Sequence, residues 1–115
     1  MKNIGNFTKP PELLEIVLDG EDIVREYGEP IVFWMKDFVD ITTYFNFYRA
    51  QSEGNSGVLD DILRTLILDK NGKPAIKEGH ALPVDIAVGA LSKINENLGK
   101  LKTKPSISTT GNQQD

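Results

Sequence analysis

Cysteine is absent from this chain. That excludes disulfides, thiolate metal sites and a cysteine nucleophile together, and it fits a reducing compartment. Histidine occurs once, at His80, and tryptophan once, at Trp34. A metal centre or acid–base pair built on imidazole therefore has a single ring to draw on. Basic charge is not in excess: 13 Lys and Arg stand against 17 Asp and Glu, giving a formal net charge of −4 and a pI near 5.0. This balance argues against a nucleic-acid binder that works through a basic surface. The three lysines between Lys100 and Lys104 are too few to reverse it, and no aromatic residue is interleaved with them. No run approaches the roughly 20 apolar residues that span a bilayer. Residues 1–8 hold no apolar core of signal-peptide length, so Asn6-Phe7-Thr8 is read as a chance match to a glycosylation acceptor. A soluble, cytosolic protein is expected.

What the chain does contain is enough apolar material for one domain. It has 115 residues, 39% of them hydrophobic and 26% charged, a size that buries about two-thirds of its unfolded surface. Residues 1–10 read as a flexible leader ended by Pro10-Pro11, residues 11–99 as a single compact, mainly helical domain, and residues 100–115 as a polar flexible tail. Leu13, Leu14 and Val17 fall on a helical step, and Ile23, Val24 and Tyr27 resume it after Asp19-Gly20-Glu21-Asp22. This gives two short helices or one bent at Gly20. Gly28-Glu29-Pro30 is a stop. Ile31-Val32-Phe33-Trp34-Met35-Lys36, rich in β-branched and aromatic residues after a turn, reads as a strand.

Asp40 is a good N-cap for a helix carrying Ile41, Tyr44, Phe45 and Tyr48, broadened by Phe47 and ended near Gly54. Asn55 or Ser56 caps the next helix, whose Val58, Leu59, Ile62, Leu63, Leu66 and Ile67 have the spacing of a buried face. Asp69-Lys70-Asn71-Gly72-Lys73-Pro74 is a turn. The last helix opens on Pro83, which suits its first position, and Gly99 suits the position just past its end. Val84, Ala87, Val88, Leu91, Ile94 and Leu98 form its stripe, widened by Ile86 and Ala90. Gly89 costs roughly 1 kcal/mol against alanine in mid-helix, so it is read as marking close approach to another backbone. The expected fold is a small bundle of four to five short helices with one short strand or hairpin near residues 30–37, with α+β as the alternative.

Chemistry-bearing patterns are few. His80 has only Glu78 and Asp85 near it in sequence, and a surface histidine before a helix explains it. Asp69-Lys70-Asn71-Gly72 departs from a calcium loop, since Gly72 comes too early and residue 73 is lysine. Asp60-Asp61 and Glu21-Asp22 are adjacent acids that point about 100° apart on a helix and do not converge. No phosphate-binding glycine loop, nucleophile elbow or zinc spacing occurs. The expectation is a protein that is no enzyme and has no cofactor. The aromatic cluster is the unusual feature: seven of the nine aromatic residues lie between Phe33 and Tyr48. Most of it reads as core, yet Trp34, Tyr44 and Tyr48 can also anchor a protein contact, giving large area at low entropic cost. On the last helix Leu91 and Ile94 join them as contact candidates.

Tyr27-Gly28-Glu29-Pro30-Ile31-Val32-Phe33, followed by Asp40-Ile41-Thr42-Thr43-Tyr44-Phe45, resembles the first half of the tail assembly chaperones of long-tailed bacteriophages. Asp69-Lys70-Asn71-Gly72-Lys73-Pro74, Leu82-Pro83 and Ile94-Asn95-Glu96-Asn97-Leu98-Gly99 resemble their second half. The likeness covers Glu12 to Gly99. It implies a non-enzymatic protein of the bacterial host cytoplasm that coats the long helical tape-measure protein before the tail tube polymerises. It also implies self-association and recruitment of tail tube protein by a frameshifted companion product; the acidic balance and the lack of a long apolar run add the expectation of no nucleic-acid or membrane partner. The short polar tail after Gly99 would match the unshifted form. The alternative is a structural component of a phage tail or baseplate retained in the virion. A small helical regulator is disfavoured by the acidic balance.

Overall fold

The computed structural model describes residues 1–102. Its central layer is a two-stranded antiparallel sheet, β1 (Leu13–Leu18) and β2 (Ile31–Lys36), joined by helix α1 (Glu21–Tyr27). The register runs from Leu13 opposite Lys36 to Leu18 opposite Ile31. Leu14, Ile16 and Leu18 alternate with Leu13, Glu15 and Val17, so the first set reaches the core and the second points outward. The helix expected over Leu13–Leu18 is therefore a strand. The same residues satisfy a period of two as well as a helical step, and pairing with β2 decides between them. The second expected short helix is α1, with Glu21 and Asp22 in its first turn, where the helix dipole favours anions. Gly28 ends it in the left-handed region (φ 86°), its N–H donating to the Val24 carbonyl at 2.8 Å.

Helix α2 (Ile41–Glu53) opens as its sequence indicates, with the Asp40 carboxylate accepting from the Thr43 N–H at 3.3 Å. Helix α3 (Ser56–Leu66) is capped by Asn55, whose side chain accepts from the Val58 N–H at 3.2 Å. Ile67 then leaves the helix and Leu68 bridges Trp34 on the outer edge of β2, with bonds of 2.9 and 2.8 Å in the two directions. The turn after it is closed by Asp69, whose carboxylate accepts from the N–H groups of Asn71 and Lys73. This satisfies the loop and turns the chain back.

Helix α4 (Val84–Lys102) begins one residue after Pro83, whose carbonyl accepts the first helical bond from Ala87. It continues through Gly99, which was expected just past its end. The rest of the expected tail, residues 103–115, lies outside the described residues. The core seam of α4 is Ala90, Ile94 and Leu98, while Val84 and Val88 face solvent. The apolar stripe is thus rotated from the expected one, because Ile86 and Ala90 make it too wide for spacing alone to say which part meets the sheet. Gly89 supplies the answer: a Cβ there would sit 3.7 Å from a Leu18 side-chain carbon of β1. Its neighbour is a side chain, not the backbone that was expected.

Ile16, Phe33, Met35, Phe47, Leu63, Leu66 and Ile94 form one core with these elements around it. Polar ties lock the periphery. Tyr27 Oη on α1 donates to the Asp85 carboxylate at the start of α4 (2.8 and 3.0 Å), and Asn95 Nδ2 on α4 donates to Gln51 Oε1 on α2 at 2.7 Å. Four α-helices and a two-stranded sheet among the described residues make the architecture α+β.

Candidate protein-contact surface

The geometry of α2 follows from about 100° of rotation per residue. Phe47 and Ala50 turn into the core, and Tyr44 lies at the boundary. Ile41, Phe45 and Tyr48, at steps of four and three, fall beyond that boundary and are 69%, 55% and 39% exposed. Tyr44 holds the stripe together, its ring meeting Phe45 and Tyr48 edge-on with centroids 5.5 Å away in both cases. Such edge contacts place a positive ring edge on a negative face. The result is an aromatic and aliphatic ridge on one side of a well-capped, 13-residue helix. At its amino-terminal end a cleft of about 500 Å³ opens, lined by Pro11, Phe38, Val39, Asp40, Thr43 and Leu68 among others.

The five contact candidates separate. Tyr44 and Tyr48 come together on this ridge. Trp34 is half-buried on the outward face of β2, opposite Glu15, with its backbone tied to Leu68. Leu91 is half-buried against the core, and Ile94 is fully buried within it. Ile94 therefore offers no surface, because the rotation of α4 turns it straight onto the sheet. Ile41 and Phe45 were not among the candidates, although they are the most exposed members of the ridge. The signal for them was present: the stripe from Ile41 to Tyr48 with Phe47 is wider than one buried face can be.

Tyr44 carries a polar oddity. Its hydroxyl is buried and has no hydrogen-bond partner among the described residues, a state that costs about 1–3 kcal/mol. The Asp40 carboxyl at the head of the ridge is held below the usual aspartate range by the Thr43 hydroxyl and then by the Thr43 N–H. It stays ionised and keeps capping the helix.

The remaining polar patterns have local partners. Asp60 accepts from Arg64 Nε at 3.0 Å, and Glu21 lies 3.9 Å from Arg25, each one turn apart. His80 is exposed, and its carbonyl accepts from Arg64 Nη2 at 2.6 Å. No group of three or more His, Asp or Glu able to hold a metal ion occurs among the described residues. No helix among them is long and apolar enough to cross a membrane. The arrangement is that of a small α+β domain with an apolar ridge on its surface. No protein-family model, curated protein or solved structure matches the chain.

Proposed function

We infer that this chain works by holding another polypeptide and performs no reaction of its own. The observation that carries the reading is the exposed ridge of Ile41, Phe45 and Tyr48 on α2. Contiguous exposed apolar side chains cost solubility, and in stable domains they mark contact surfaces. A straight ridge at three- and four-residue steps suits an amphipathic helix laid alongside it. The motif likeness to phage tail assembly chaperones names such a client. In this reading the chain is a tail assembly chaperone that grips the tape-measure protein and helps recruit tail tube subunits. It acts in the cytoplasm of the bacterial host. Nucleic acid is not a partner in this reading, in keeping with the net charge of −4.

The test is co-expression of the tagged chain with the tape-measure protein of the same phage. Wild type should bring the client into the soluble fraction and co-purify with it, whereas Phe45→Asp should lose it with an unchanged circular dichroism spectrum. A wild-type chain that never retains the client would overturn the reading. Its presence at stoichiometric levels in purified virions would favour a structural tail component instead.

A further inference from the structure

We propose that the free edge of β1 takes up an extended segment of another protein as an added strand. The segment has a base at its centre and an apolar residue on either side. The open edge follows from the ladder. The Asp37 N–H donates to the Glu12 carbonyl at 2.8 Å, which makes Glu12 and Asp37 a hydrogen-bonded pair. The register runs unbroken from there, so Leu14, Ile16 and Leu18 bond to β2. Leu13, Glu15 and Val17 take the alternate positions, and their N–H and C=O groups point away from β2. The far side of the sheet fixes the same phase: Trp34, opposite Glu15, turns both its groups outward to Leu68. That edge is covered at Trp34, whereas the edge of β1 is not. Among the described residues nothing bonds the outward groups of Leu13, Glu15 and Val17, and all three residues are exposed.

These three residues each offer one donor and one acceptor over roughly 13 Å. Only an extended backbone can complete them, because a helix spends its own groups internally. Folded proteins ordinarily blunt such an edge with proline, lysine or a bulge. β1, Leu-Leu-Glu-Ile-Val-Leu in unbroken register, has none of these. Its one charge is Glu15, and that charge selects the occupant. A second copy laid antiparallel in full overlap would set Glu15 opposite Glu15, and like charges directly opposite repel. A base in that place attracts instead. The surroundings act in the same direction, since the chain from Glu12 to Asp22 has five acids and no base. Lys36 lies one strand in from the edge, and Lys93 shares the hollow at Leu18 with Asp19 and Asp22. Leu13 and Val17, each 38% exposed, flank Glu15 on the outward face. Apolar residues beside them on the added strand would cover them.

This edge differs from the α2 ridge in place and in kind. The ridge offers side chains to a helix, whereas the edge offers backbone groups to a strand.

Hydrogen exchange and NMR titration of the full chain test it with two end-blocked peptides. One is Thr-Val-Thr-Lys-Thr-Val-Thr, and the other has glutamate in place of lysine. In the free chain the amides of Leu13, Glu15 and Val17 should exchange faster than those of Leu14, Ile16 and Leu18, whatever the protein concentration. The lysine peptide should slow those three amides about tenfold. The glutamate peptide should bind about tenfold more weakly, and Glu15→Lys should reverse the preference. Methylating the two valine nitrogens of the lysine peptide should abolish binding with its side chains intact. No binding of either peptide, equal binding of the two, or undiminished binding after methylation would overturn the proposal. So would edge amides already slow in the free chain, which would mean that its own residues cover them. Slowing that grows with protein concentration would assign the edge to a second copy and overturn it too. Neither peptide is a tape-measure segment, so failure here leaves co-purification with the client intact.

Discussion

On α4, Ala90, Ile94 and Leu98 stand one turn apart and close the core against the sheet; on α2, Ile41, Phe45 and Tyr48 stand at nearly the same spacing and face water. The residue chemistry is alike in the two helices, and the difference lies in what each finds opposite. Leu18 and the inner face of β1 meet α4 at Gly89. Phe47 and Ala50 turn inward from α2 and are buried, while Ile41 and Phe45 stay exposed beyond them. An apolar stripe therefore reports that a helix has a partner, and the rest of the fold tells whether that partner is in the same chain.

The largest expected effect separates the two stripes directly. Ile94→Ala should lower stability by about 2–5 kcal/mol in urea unfolding, through lost transfer energy and a cavity the core closes only in part. Phe45→Ala should change it by no more than about 0.5 kcal/mol. Equal losses would erase the distinction.

Two smaller changes sharpen it from the stabilising side. Tyr44→Phe removes a buried hydroxyl without a partner and should raise stability on the order of 1 kcal/mol. Gly89→Ala places a methyl at ordinary contact distance from Leu18 and should add up to about 1 kcal/mol of helix propensity. If Gly89→Ala destabilises, α4 packs closer to β1 than its seam indicates.

The smallest expected effect concerns Asp37, which accepts from the Glu12 N–H and pairs with Lys9 at 3.0 Å. The Asp37 carboxyl is held below the usual aspartate range, chiefly by the Glu12 N–H and then by Lys9. A lowered folded value means that its contribution is complete above the unfolded value and fades as pH falls through the folded one. Asp37→Asn should therefore lower stability slightly near neutrality and flatten the acid limb below about pH 4, where wild type loses the same contribution.

How much of this was legible depends on how local each cause is. The Asp40 and Asn55 caps, the Gly28 stop and the Asp69 turn act within four residues, and the sequence announces all of them. The strand at Ile31–Lys36 was legible from its β-branched and aromatic run. Its partner Leu13–Leu18 was not, because those residues fit either period until β2 lies beside them. Leu68 was equally hidden, since a single bridging residue leaves no pattern. On the ridge, the aromatic stripe through Tyr44 and Tyr48 was legible from its helical spacing, but Ile41 and Phe45 passed as core. Separating them needs the direction of Phe47 and Ala50, which only the packed fold fixes.

The central claim is that the α2 ridge holds a client helix. Titration calorimetry of wild type and Phe45→Ala against a helical tape-measure segment tests it, with unfolding measured on the same samples. The account predicts at least a tenfold rise in Kd, about 1.4 kcal/mol, with stability unchanged. Equal affinity for the two proteins, with both folded, would contradict it.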